Sequence, residues 1–132
     1  MKRLTQILGF FILISTSITF AQQRGNATYY GLKLKGRHTS DGGKYHPDSL
    51  TCAHRYYPLG TLLKVRNPKN NKEVIVKVTD RGPHQRKLMI DLSYSAASLL
   101  DIVRDGIAMV EVFKLDSIPP KTLTLCTPQQ EQ

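Results

Sequence analysis

The chain has 132 residues, 19 Lys and Arg against 10 Asp and Glu for a formal net charge of +9, 40% hydrophobic residues and two cysteines. That length suits one compact domain. The basic excess suits an anionic partner or simply a solvated basic surface, and no helix-turn-helix pattern, zinc-finger spacing or aromatic RNA-binding motif accompanies it, so no nucleic-acid role is assigned.

Met1-Lys2-Arg3 is a short cationic start, Ile7 to Ile14 is apolar, and Thr19-Phe20-Ala21 places small residues where a signal peptidase cuts. Residues 1–21 therefore read as a secretory signal cleaved after Ala21. Thr5, Gln6, Ser15, Thr16 and Ser17 keep the apolar run well short of the roughly 20 residues that span a bilayer. No Cys follows the run, so neither a stable membrane anchor nor a lipoprotein is expected. An exported basic domain then has cell-wall carboxylates or lipid head groups as its natural anionic surfaces.

Past the signal, Gly25 to Gly31 reads as a short strand bounded by glycines. Leu32 to Ser49 is a long polar stretch whose Thr39-Ser40-Asp41-Gly42-Gly43 cluster excludes a regular helix or central strand, and long structured loops in small domains are often functional. Leu63 and Val65 alternate with Lys64 and Arg66, Pro68 to Asn71 turns the chain, and Val74, Val76 and Val78 alternate with Glu73, Ile75, Lys77 and Thr79. This is the period of two of half-buried strands joined in an antiparallel hairpin. The hairpin delivers Asp80 to a strand end, where Gly82-Pro83 forces the backbone to turn; a rigid scaffold displaying a carboxylate beside an irregular loop is a common way to build a site.

Ser93 is a natural N-cap for a short Ala- and Leu-rich helix from Tyr94 to Leu100, and Asp91 just before it is expected to be structural, favouring the positive helix end. Asp105-Gly106 ends the helical region, and Ala108, Val110 and Val112 alternate with Met109, Glu111 and Phe113 in a last strand. Ser117 to Gln132, with three prolines and a Gln-rich end, reads as an irregular appendage. Several short strands, one short helix and long loops fit a small closed β-barrel. Cys52 and Cys126 allow one disulfide in an oxidising compartment, the alternative being two buried free thiols. His38, His46 and His84 match no usual zinc spacing, so no metal and no cofactor is predicted.

Five segments occur in one order: Gly25-Asn26-Ala27-Thr28-Tyr29-Tyr30-Gly31, Gly36-Arg37-His38-Thr39-Ser40-Asp41-Gly42, Leu50-Thr51-Cys52-Ala53-His54, Asp80-Arg81-Gly82-Pro83 and Ile90-Asp91-Leu92-Ser93. Together they resemble the RlpA-like lytic transglycosylases, relatives of the expansin and barwin-type barrels, over roughly residues 25 to 115. The resemblance implies a mainly β, six-stranded double-psi β-barrel with one or two short helices, spanning residues 22–116, with 117–132 as its tail. It also implies a peptidoglycan lyase of the bacterial periplasm or cell envelope, acting as a monomer on glycan strands. Such an enzyme cuts between N-acetylmuramic acid and N-acetylglucosamine without water and leaves a 1,6-anhydro end, with a preference for strands stripped of peptides.

In that reaction the sugar's own C6 hydroxyl attacks the anomeric carbon, so one carboxyl can serve as acid and then base. Asp80 is the candidate, with its pKa raised so that it binds substrate protonated, and His54 is its candidate support. Tyr30, Thr39, Lys44, Tyr45 and Arg81 are the candidate substrate contacts. Tyr30 is preferred to Tyr29 because Ala27 and Tyr29 share the strand face expected to be core. Where relatives carry Glu in the loop after Thr39, this chain has Gly43, and His46 replaces a second acid. The competing expectation is therefore a non-catalytic peptidoglycan-binding or wall-loosening module.

Overall fold

The computed structural model describes residues 22–115, so the expected signal segment, the appendage 117–132 and Cys126 lie outside the described residues. Six strands form: β1 (Gln22–Tyr29), β2 (Thr51–His54), β3 (Leu62–Arg66), β4 (Glu73–Asp80), β5 (Leu88–Leu92) and β6 (Ala108–Lys114). One helix, α1 (Tyr94–Leu99), and a single 3-10 turn at Leu32–Leu34 complete the architecture. The strands close in the order β1-β5-β2-β4-β3-β6, with β6 returning to β1. β1 with β5 and β2 with β4 are parallel, and the other neighbours are antiparallel. This closed arrangement is the double-psi β-barrel.

The alternation along β4 is realised directly: Val74, Val76 and Val78 are buried while Glu73, Ile75 and Lys77 are exposed. Val76 pairs with Leu63 and Val74 with Val65 across the hairpin, so one face of both strands enters the core. Ile90 and Leu92 from β5, Val110 and Val112 from β6, and Leu100 and Ile102 after α1 fill the remaining space, all fully buried. Each such side chain stabilises the fold by about 1.5–3 kcal/mol relative to exposure.

β1 starts three residues before the expected Gly25 because Gln22 to Ala27 run antiparallel to Phe113 to Ala108. Ser93 caps α1 as its sequence suggests, its Oγ accepting from the Ala96 N–H at 3.3 Å. Glu111 lies on the face of β6 expected to be outward, yet only 2% of it is exposed. It pairs across the sheet with Arg24 on one side and Arg66 on the other, and both guanidiniums ion-pair with its carboxylate.

The expected partner of Cys52, Cys126, lies outside the described residues, and Cys52 itself stands in the core. Its thiol is free and fully buried among core residues, and burial, then the nearby Asp91 charge, push its pKa up to about 12. A thiol there is a poor nucleophile. Native protein is expected to leave Cys52 unmodified by iodoacetamide, with mass spectrometry showing alkylation only after denaturant is added without reductant; labelling at Cys52 in the folded state contradicts this placement.

Candidate functional site

The site is organised by β2, the shortest strand. Ala53 pairs with Asp80 of β4 on one side and with Asp91 of β5 on the other. Residues paired directly across strands face the same way, so two carboxylates flank a methyl group on one side of the sheet. Both line a cleft of about 110 Å³, walled by Tyr30, Tyr45 and the loop residues Thr39, Arg81 and His84. Gly82 lies between the carboxylates with φ +137, a conformation that side chains with a Cβ rarely adopt, and a Cβ there would come within 3.7 Å of Asp91 Oδ2.

Asp80 is the better solvated of the two in hydrogen-bond terms. Its Oδ1 accepts from the Ser40 N–H at 3.1 Å, the Ser40 hydroxyl at 2.6 Å and the Arg81 N–H at 2.9 Å. Its Oδ2 accepts from the Tyr30 hydroxyl at 2.9 Å. Burial alone raises its pKa, but the bonds from Ser40, Arg81 and Tyr30 outweigh burial and hold it below the ordinary carboxylate value. The Arg81 guanidinium takes no part, since it points away and donates to the backbone oxygens of His54 and Tyr57. Asp80 is thus held as an anion, which corrects the expectation of a protonated acid at this position.

Asp91 has the opposite environment. Its Oδ1 is buried without a hydrogen-bond partner. Burial, opposed by His84 and reinforced by the Asp80 charge, raises its pKa to about 6. Asp91, expected to serve the helix start, is turned into the cleft by strand pairing, while the cap bond comes from Ser93 as expected. Two neighbouring carboxylates with pKa values driven apart are what acid and base roles require.

The remaining candidates divide between cleft and scaffold. Tyr30 stands edge-on to Tyr45 at 4.9 Å between ring centroids, while Tyr29 packs on the core and donates to the Val103 oxygen. The buried Tyr45 ring forms part of the cleft wall while its hydroxyl accepts from the Tyr94 N–H. Thr39 reaches the cleft and also donates to Asp41 Oδ1. Lys44 is exposed, bridges His38 through the backbone and is not among the cleft walls.

His54, the candidate support for Asp80, lies in the core. It is 2% exposed, its Nδ1 accepts from the N–H groups of Tyr56 and Tyr57, and its ring lies 4.5 Å from that of Tyr57. Burial and the charges of Arg55 and Arg81 lower its pKa to about 4, so it is neutral and serves to position the β2 exit. Ser40 is the residue that sequence reasoning missed. Its place in a turn-forming Ser-Asp-Gly cluster hinted at backbone bonding, not at a partner 40 positions away. Among the described residues no group of three or more His, Cys, Asp and Glu converges as a metal site.

Residues 22–112 match the family described as lytic transglycolase. "Probable endolytic peptidoglycan transglycosylase RlpA" of Aquifex aeolicus is 50% identical over 88 residues, 67% of this chain and 39% of that protein. The endolytic peptidoglycan transglycosylases RlpA of Campylobacter jejuni and Pseudomonas aeruginosa are 44% and 37% identical, covering 67% and 80% of this chain and 32% and 33% of their own lengths. The chain thus spans between a third and two fifths of these curated relatives. Among solved structures, the Streptomyces papain inhibitor aligns with a TM-score of 0.57 at 22% identity, over 73% of this chain and 97% of the inhibitor. A Clavibacter michiganensis expansin mutant in complex with cellohexaose aligns with a TM-score of 0.57 at 22% identity, over 71% of this chain and 50% of the expansin. These two likenesses concern the fold, whereas the sequence match identifies the lineage: the chain belongs to the lytic transglycolase family.

Proposed function

We propose that this barrel is an exported lytic transglycosylase that cuts peptidoglycan between N-acetylmuramic acid and N-acetylglucosamine, leaving 1,6-anhydro ends, on peptide-poor strands. The observation that carries this reading is the pair of cleft carboxylates flanking Ala53, one held ionised and the other held near a pKa of about 6. The relatives' names supply the substrate class, and the expansin's cellohexaose complex is in keeping with a glycan in a groove of this fold.

Protonated Asp91 donates its proton to the departing glycosidic oxygen as that bond breaks. The C6 hydroxyl of the same muramic acid attacks the anomeric carbon, and the Asp91 carboxylate takes the hydroxyl proton, so the acid is regenerated and no water is consumed. The Asp80 anion stabilises the positive charge that develops on the sugar ring, and its Ser40, Arg81 and Tyr30 bonds keep it ionised while it does so. Tyr30 and Tyr45 offer ring surface to the sugar. The protein is read as a periplasmic or envelope-associated monomer.

Incubating purified protein with intact sacculi and with peptide-stripped glycan, then analysing the products by mass spectrometry, tests this directly. Anhydro ends are expected, most on stripped strands. Because the donor must be protonated, kcat/KM is expected to fall about tenfold per unit as pH rises above about 6. Binding of both substrates with neither cut would instead establish the wall-binding reading, to which Gly43 lends weight by standing where relatives carry Glu.

A further inference from the structure

Beside the carboxylate cleft lies a second, more open pocket of about 600 Å³. It is lined by Arg55, Arg81 and Arg86 together with Tyr56 and His84, and it shares Arg81, Gly82 and His84 with the cleft. No acidic residue lines it. Among the described residues, none of the three guanidiniums ion-pairs with a carboxylate, although Arg24 and Arg66 elsewhere in the molecule do so.

Two of these arginines are held in place by neutral groups. Arg55 donates to the backbone oxygens of Pro83, Gln85 and Leu88 at 2.8, 3.2 and 2.7 Å. Arg81 donates to the oxygens of His54 and Tyr57 at 3.0 and 2.7 Å. Carbonyls fix the position of a guanidinium without cancelling its charge, and side chains already immobilised lose less entropy when a ligand binds. Arg86 is exposed at the rim, and Tyr56, 82% exposed, presents an open ring to the same space.

We propose that this pocket is a carboxylate subsite, which holds a carboxyl group borne by the glycan whose reacting unit lies in the cleft. This rests on the reading of the cleft as a glycan-cleaving site. Guanidiniums match carboxylates in planar, paired geometry, and the exposed tyrosine provides a stacking surface for the sugar that bears the carboxyl group. The two carboxylates of the cleft disfavour a polymer charged at every unit, so the ligand is one whose neutral portion lies over Asp80 and Asp91 while its anionic group reaches the arginines. In peptidoglycan that group has two sources, the lactyl carboxylate of stripped muramic acid and the carboxylates of stem peptides.

The test measures binding, so that it does not depend on cleavage. Purified Asp91→Asn protein is titrated with peptide-stripped strands, with the same strands after their carboxyls are converted to neutral methylamides, and with peptide-bearing strands. Neutralising the carboxyls is expected to weaken binding at least tenfold. Adding Arg86→Glu is expected to weaken binding of the carboxylate strands about tenfold and to leave the neutralised strands unaffected. Tighter binding of stripped strands identifies the lactyl group, and tighter binding of peptide-bearing strands identifies the stem peptide. Equal affinity for charged and neutralised strands overturns the proposal, as does an Arg86→Glu loss that is the same for both. Carboxylate-dependent binding by a wild-type protein that cuts nothing keeps the subsite and removes the proposed activity instead.

Discussion

Asp91→Asn is expected to lower strand cleavage by about 10²- to 10⁴-fold while making the protein more stable above pH 6. The first effect follows from removing the proton donor. The second follows from burial, because the folded-state pKa of about 6 stands above the ordinary carboxylate value of 3.8. Below pH 3.8 both folded and unfolded chains keep the proton, and Asp91 carries no penalty. Between 3.8 and 6 the unfolded chain ionises first, so stability falls as pH rises, and above 6 the full cost of a desolvated charge is present. The shift corresponds to about 3 kcal/mol at most, and partial exposure of the carboxyl reduces this to about 1–2 kcal/mol. Thermal melts should therefore show the variant gaining stability at pH 8 and matching wild type at pH 3.5. Retained cleavage, or a melting shift of equal size at both pH values, contradicts the assignment.

Asp80→Asn acts on the same reaction by another route. Its anion has to stabilise the charge on the sugar, so a loss of about 10²- to 10³-fold in kcat is expected. The amide oxygen can still accept from Ser40 and Arg81, and stability should change by no more than about 1 kcal/mol. The discriminating readout is the pH profile. The Asp80 charge is one of the causes that raise the Asp91 pKa, so removing it lowers that pKa and moves the alkaline limb of any residual activity to lower pH. A purely structural Asp80 would lose activity through unfolding, visible in circular dichroism, with the limb in place.

The hairpin of β3 and β4 and the cap at Ser93 were legible in the sequence because each rests on neighbours in the chain: a period of two through Val74, Val76 and Val78, and a hydroxyl three residues from the N–H that it accepts. β2 left no such trace. Cys52, Ala53 and His54 are all buried, so nothing alternates, and a four-residue strand is too short to show a pattern. The surroundings of His54 and Asp91 were hidden for a related reason. A histidine near a catalytic motif and an aspartate before a helix cap carry local meanings, but their environments are set by strands that pair across dozens of residues. Glu111 is the same case in the core, since its two arginine partners lie 87 and 45 positions away. Which of the two carboxylates is held ionised likewise depends on which one Ser40 reaches, a contact that spans 40 positions.

The common pairing of Ala53 with Asp80 and Asp91 makes the barrel a ruler. The carboxylate-bearing backbones stand two interstrand steps apart, about 10 Å, and that interval is set by hydrogen-bonded strand spacing, which no surface substitution can alter. Loops around the cleft can therefore lengthen, shorten or change charge while the chemical pair keeps its gauge.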